Sequence, residues 1–149
     1  MSEPATEFGG PEESPGFLLW RVTLSWQRAM RAALAPHDLT HVQFVLLASS
    51  WWLGSKGPAP TQQRLAEQAG TDPMMTSQVI RKLEARGLLE RERDPADSRA
   101  RKLKLTGAGR KLVAGALHDV EASDERYFAA LEHDRAAFVR ALATLSTAG

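Results

Sequence analysis

A mainly α-helical fold with one small β-hairpin is predicted by three features of this sequence. Apolar residues recur every three or four positions over most of the chain. Over 61–86 a short helix, a glycine turn and a second capped helix follow one another. Over 89–105 alone, the period switches to alternation. That order is a winged helix-turn-helix framed by longer helices at both ends.

Taken in order, residues 1–14 (MSEPATEFGGPEES) are acidic and rich in Pro and Gly, and are expected to lack fixed structure. Leu18, Val22, Trp26, Ala29 and Ala33 then share one face of a helix over 17–34, with Arg21, Gln27, Arg28 and Arg31 opposite. Pro36 ends it, because the residue before a proline disfavours the helical conformation. Asp38 or Thr40 caps a second helix running to about residue 53. Val42, Phe44, Val45, Leu46, Leu47, Trp51 and Trp52 make it apolar nearly all round, so it is expected at the buried centre. Thr61 caps the short helix QQRLAEQAG, which Gly70 closes.

Thr71 or Asp72 caps the next helix, with Pro73 at its first position, where a missing N–H costs nothing. Its inward stripe is Thr76, Val79, Ile80 and Leu83, and Gly87 stops it. Leu89, Arg91, Arg93 and then Arg101, Leu103, Leu105 alternate as two short strands joined by a projecting charged loop over 94–99. Thr106 caps a helix carrying Leu112, Val113, Ala116, Leu117 and Val120 to about residue 131, and a last helix covers 134–145 with Phe138, Val139, Leu142 and Leu145.

Composition limits what such a fold can do. The chain has no cysteine, which removes disulfides, thiol redox sensing and Cys-ligated zinc. The longest apolar run, 42–53, is broken by Gln43, Ser49 and Ser50 and falls short of the roughly 18 residues a membrane span needs. The amino terminus has neither the basic nor the apolar region of a signal peptide, so a cytoplasmic protein is expected, without a membrane partner. Net charge is only +1, yet residues 72–111 hold 11 Lys/Arg against 6 Asp/Glu, a balance of +5, while the other 109 hold 8 against 12, a balance of −4. A basic block between acidic flanks is the footprint of one surface that meets phosphates. No Ser/His/Asp set, phosphate-cradling glycine loop or paired carboxylates with a base is present, so an enzyme is not expected.

On LTHVQFVLL, QRLAEQAGTDPMMTSQVIRKLEARGLLER and RERDPADSRARKLKLTGAG, the chain resembles the MarR family of bacterial transcription regulators over 17–145. Asp97, Arg99, Leu105, Thr106 and Gly109 stand where that family's D-x-R wing motif and its following L-T-x-x-G place them. The resemblance implies a homodimeric repressor on a double-stranded DNA operator. It divides the chain into a DNA-binding lobe over 37–109 and dimerisation helices over 15–36 and 110–149. The terminal helices carry Trp20, Leu24, Leu131, Phe138, Leu142 and Leu145, more apolar surface than one small monomer can bury.

The residues support a DNA contact on their own. Met74, Ser77, Gln78 and Arg81 lie at i, i+3, i+4 and i+7, one outward stripe of a helix that fits the major groove. Gln78 can pair with adenine, Arg81 or Lys82 can reach guanine or phosphate, and Pro73 or Met74 can touch a thymine methyl. The expected contact set is Pro73, Met74, Thr76, Ser77, Gln78, Arg81 and Lys82 from the helix, with Thr76 counted on both faces, plus Arg99, Arg101 and Lys102 from the wing. Arg99 suits a narrow minor groove, and Arg101, Lys102 and Lys104 suit phosphates. The family's wing Asp steadies arginines, which implies that Asp97 pairs with Arg91 or Arg93.

Family members commonly bind small aromatic or phenolic acids between the dimer helices and the DNA-binding lobe. The residues here that would form such a pocket are Trp20, Arg21, Trp26, His37, His41, Phe44 and Trp51. Each has a plainer reading, since a Trp at helical spacing is more often core. His37 and His41 are four apart like ligands on a helix face, but no Cys is available to complete a set, and neither metal nor cofactor is expected. A winged helix that binds protein would be expected to carry a neutral or acidic recognition helix, which this is not.

Overall fold

The computed structural model describes residues 2–94 and 97–149, with backbone alone at 93–94 and 97–100. Six helices and one hairpin follow in the predicted order: α1 (Pro15–Leu34), α2 (His41–Lys56), α3 (Gln62–Ala69), α4 (Pro73–Ala85), β1 (Leu89–Asp94), β2 (Asp97–Leu105), α5 (Gly107–Phe128) and α6 (Arg135–Ala148). Ahead of α1 the exposed leading segment makes one 3-10 turn, Pro11–Glu13.

Local chemistry sets the helix starts. Ser14 caps α1, two residues earlier than the apolar pattern begins, its Oγ accepting the Phe17 N–H at 3.3 Å. At α2 the cap is Thr40, in a reciprocal box: its Oγ1 accepts from the Gln43 N–H at 3.2 Å while Gln43 Oε1 accepts from the Thr40 N–H at 3.0 Å. Asp38 instead occupies the left-handed region at φ 52, in the turn between α1 and α2. Thr61, Asp72 and Thr106 cap α3, α4 and α5 with one bond each, the side chain accepting the N–H three residues on, so Asp72 rather than Thr71 opens α4. Gly70 and Gly87, at φ 71 and 72, turn the chain after α3 and α4 where a Cβ would be strained.

One core joins these elements. Met30 and Leu34 of α1, Leu46 and Leu47 of α2, Leu65 of α3, Ile80 and Leu83 of α4, Leu103 of β2 and Val113 of α5 are all fully or almost fully buried. The buried stripe of α2 holds for Phe44, Leu46 and Leu47, but Trp51 and Trp52, expected inside, emerge at the surface in its last turns. The hairpin also differs from expectation. Strand pairing runs from Leu89↔Leu105 through Arg91↔Leu103 and Arg93↔Arg101 to Asp94↔Asp97, with an irregularity after Arg93, so the ladder takes up most of the loop expected over 94–99. Charged residues are unfavoured in strands, which hid this extension, but an exposed two-stranded ribbon tolerates them. Beyond Phe128 the chain makes 3-10 turns over Ala129–Asp134 with Glu132 at φ 51, and α6 carries no buried residue at all.

Candidate nucleic-acid interface

The helix-turn-helix is fixed by its own turn. The Thr71 N–H donates to the Ala66 carbonyl at 3.1 Å, closing α3 onto the turn. Thr76 Oγ1 donates its single proton to the Asp72 carbonyl at 2.7 Å and therefore accepts from Thr71 Oγ1 at 2.6 Å. Thr76 is 0% exposed, which removes it from the expected DNA-contacting set. It belongs to the inward stripe, where its hydroxyl satisfies the turn. The rest of the set on α4 faces solvent: Pro73, Gln78, Arg81 and Lys82 are exposed, Ser77 partly so, and Met74 is 72% exposed. Arg81 lies back along the helix, with Nε on the Ser77 carbonyl at 3.3 Å and Nη2 on Ser77 Oγ at 3.2 Å. These long, solvent-exposed bonds leave the guanidinium able to swing out.

On the wing, Arg101 is exposed and Lys102 half-buried. Lys104 sits between Glu90 at 3.9 Å and Glu92 at 3.4 Å, so it steadies the ribbon with a charge that was expected to meet phosphate. The side chains of Arg93, Asp97 and Arg99 lie outside the described residues. Asp97 was expected to pair with Arg91 or Arg93, a pairing that lies outside the described residues; among those described, Arg91 reaches the helix-turn-helix, its Nε donating to Glu84 Oε1 and its Nη2 to Gln62 Oε1, each at 3.0 Å. Sequence reasoning missed Glu84 and Gln62, whose spacing from Arg91 carries no local signal.

The seven residues expected to line a pocket do not come together within the chain. Phe44 is in the core, while Trp20, 60% exposed, and Arg21 lie on the outer face of α1. Trp20 and Trp26 are six positions apart, about 120° around a helix, so one face cannot present both. Trp26 instead donates from Nε1 to Asp124 Oδ1 at 2.8 Å and meets the His41 ring edge-on at 5.1 Å between centroids. His37 donates from Nε2 to Asp119 Oδ2 at 2.6 Å, its ring resting where a side chain on Gly115 would crowd it. His41 Nδ1 lies 2.7 Å from Gln27 Oε1, which only accepts, so the ring proton is on Nδ1. The two histidines thus serve different partners.

Burial lowers the His41 pKa below its ordinary 6.5, against a smaller opposing pull from Asp124. The unfolded chain therefore binds a proton near 6.5 that the folded chain refuses, so this part of the stability is present above 6.5 and lost as pH falls from there toward the folded value. His41→Gln is expected to lose less stability than the parent between about pH 7 and about pH 5.5, read by urea denaturation. Equal losses in both proteins would show that His41 does not set this limb.

Among the described residues, Trp51 is the member of the expected pocket that lines a sizeable cavity. That cavity, of about 530 Å³, lies between the end of α2, β2 and α5. Leu103, Val113 and Leu117 form its apolar wall, and Arg110 brings positive charge to it. Ser50 also lines it, and its Oγ is buried with no hydrogen-bond partner among the described residues. The cavity was not legible in the sequence, because its walls come from segments some 50 residues apart (Ser50 to Leu103) that only the fold juxtaposes. No described helix is long and apolar enough to cross a membrane.

The family model described as MarR family matches residues 39–100. The HTH-type transcriptional regulator YdcH of Bacillus subtilis (strain 168) is 49% identical over 125 residues, 84% of this chain and 85% of that one. Among solved structures, the transcriptional repressor CouR bound to a 23-mer DNA duplex superimposes with a TM-score of 0.82 at 30% identity, covering 96% of this chain and 99% of that one. BpsR of Bordetella bronchiseptica, whose DNA binding is regulated by 6-hydroxynicotinic acid, also gives 0.82, at 28% identity over 97% of this chain and 98% of that one.

Proposed function

The chain belongs to the MarR family of transcriptional regulators and is not an enzyme, and from that premise we propose that it is a ligand-responsive cytoplasmic repressor that grips a pseudo-palindromic operator as a homodimer. The observation that carries this reading is the outward face of α4. Met74, Gln78, Arg81 and Lys82 are all exposed on a helix whose other face is sealed by Ile80 and Leu83. A helix presenting an amide and two cations, beside an antiparallel ribbon with exposed Arg101, suits a major groove and the phosphates next to it. Two such lobes related by a two-fold axis would read half-sites about 34–36 Å apart.

CouR was solved on duplex DNA and BpsR responds to a small aromatic acid, and both share this architecture. The cavity beside Trp51 is the site we assign to an effector of that class, its ring against Leu103, Val113 and Leu117 and its carboxylate toward Arg110.

Selection from randomised duplexes tests the reading. The parent is expected to enrich a two-fold symmetric site, and Gln78→Ala to lose base preference at one symmetric pair of positions, by about 1–3 kcal/mol for a bidentate contact. A salicylate titration of the parent complex is expected to release the selected duplex. Enrichment of no sequence would refute the reading, and an unchanged Gln78→Ala site would make that residue a bystander.

A further inference from the structure

Glu84 is misplaced by two electrostatic criteria. It occupies the last turn of α4, where the helix dipole disfavours an anion, and it adds negative charge to the element that must approach phosphates. Among the described residues it has one use. Its Oε1 accepts the Arg91 Nε–H at 3.0 Å while Gln62 Oε1, at the start of α3, accepts the Arg91 Nη2–H at 3.0 Å. Arg91 and Glu84 side chains are each 28% exposed, so solvent screens the pair only in part.

Arg91 stands directly opposite Leu103 in the hairpin, on the ribbon face turned to the core. The other strand is tied to the same place through its backbone. The Leu103 N–H donates to the Pro60 carbonyl at 2.8 Å, and Thr61 bridges Lys102. Both strands are therefore anchored at the base of the wing: β2 to the lead-in of α3, β1 to α3 and α4 together. Core packing joins both strands to α4 through Leu89, Leu103, Ile80 and Leu83, and to it the second anchor adds directional side-chain hydrogen bonds that end on the recognition helix.

We propose that Glu84 and Gln62, acting through Arg91, are positioning residues that set the angle of the wing relative to α4, so that one lobe engages major groove and flanking minor groove at once. The proposal rests on the DNA-binding reading above. It assigns to Glu84 a role in affinity opposite in sign to its charge. Removing a carboxylate from a phosphate-facing element strengthens DNA binding if charge alone matters. Losing the clamp weakens it, because the wing no longer meets its groove without reorganisation.

Glu84→Ala and Glu84→Gln separate the two effects. Both delete the same charge, but Gln keeps an amide oxygen that accepts from Arg91 Nε. On the duplex selected by the parent, Glu84→Ala is expected to bind about fivefold more weakly, with hydroxyl-radical protection lost in the minor groove flanking each half-site and major-groove methylation protection kept. Glu84→Gln is expected to recover most of the affinity and the flanking protection. Gln62→Ala, outside the recognition helix, should give a smaller loss with the same footprint change. Thermal melts report whether each variant is folded, and Ala is a better helix former than Glu at this position. Equal or tighter binding by both Glu84 variants, with flanking protection intact, overturns the clamp while leaving the DNA-binding reading standing. A parent that selects no duplex overturns the reading beneath it, and the clamp with it.

Discussion

Gly109→Ala is expected to lower the melting temperature by roughly 6–12 °C, the shift that about 3 kcal/mol produces in a chain of this size. A Cβ at Gly109 would stand far closer to the Leu88 carbonyl oxygen than the 3.0 Å that real Cβ atoms respect, and 3.2 Å from Leu105 Cδ2. The obstacle is backbone rather than the end of a flexible side chain. Leu88 cannot swing aside cheaply, because its carbonyl accepts the Thr106 N–H at 3.2 Å and Thr106 Oγ1 donates to the neighbouring Gly87 carbonyl at 2.6 Å. These contacts dock the first turn of α5 onto the turn that leaves α4. Relief of the clash means moving α5 away from the base of the wing, opening the packing of buried Leu88, Leu89 and Leu105. Gly107→Ala is the internal control: nothing lies within 4 Å of a Cβ there, and its melting point should stay within about 2 °C of the parent. A Gly109→Ala protein that also melted within about 2 °C of the parent would show that α5 docks with slack.

That glycine also marks where the sequence stops being readable. The helices, their order and most of their caps could be read because a cap is local chemistry: Thr61 and Thr106 each serve an N–H three residues on. The choice between Asp38 and Thr40 could not be made from spacing, since it turned on Asp38 entering the left-handed region to reverse the chain. Thr76 was assigned to both faces because a small polar residue fits either, and only the hydrogen bonds to Thr71 and Asp72 decide for the inside. Gly109 could be matched to a motif without its reason, which is a carbonyl 21 positions earlier in the chain. The pairs Trp26–Asp124 and His37–Asp119 bridge 98 and 82 positions, and no periodicity in one sequence encodes such separations. They explain why three of the expected pocket residues do not gather in one chain: Trp26 and His37 hold α1 and the turn after it against α5, and His41 packs on Trp26 and bonds Gln27. The cavity that remains was left by small residues, Gly54 and Ala59 among them, whose lack of bulk is no signal in a sequence.

The outermost helices carry the other large effect. In α6, Val139, Leu142 and Leu145 recur every third position along one side and are exposed, Leu145 to 66%. Trp20 and Leu19 of α1 are likewise exposed. A helix of 14 residues with nothing buried has little stability of its own in water, so α6 needs a surface to lie on. The described residues supply only part of one, the Phe128–Phe138 ring contact at 5.7 Å. In the proposed homodimer a second copy offering the same apolar strips would supply the rest, in the self-complementary manner a two-fold axis requires. On that reading Leu142→Asp/Leu145→Asp is expected to run as a monomer in light scattering and to bind the selected operator roughly 10²–10⁴-fold more weakly, because each lobe then finds its half-site alone. Its DNA-binding lobe should stay folded, since Leu142 and Leu145 touch none of the core around Leu47 and Ile80. A single half-site duplex should accordingly bind the double variant and one lobe of the parent with similar affinity. A parent that is monomeric at the concentrations where it binds its operator would refute the dimer. A double variant that stays dimeric would move the interface away from α6, and an operator affinity unchanged in a monomeric variant would mean that one lobe suffices.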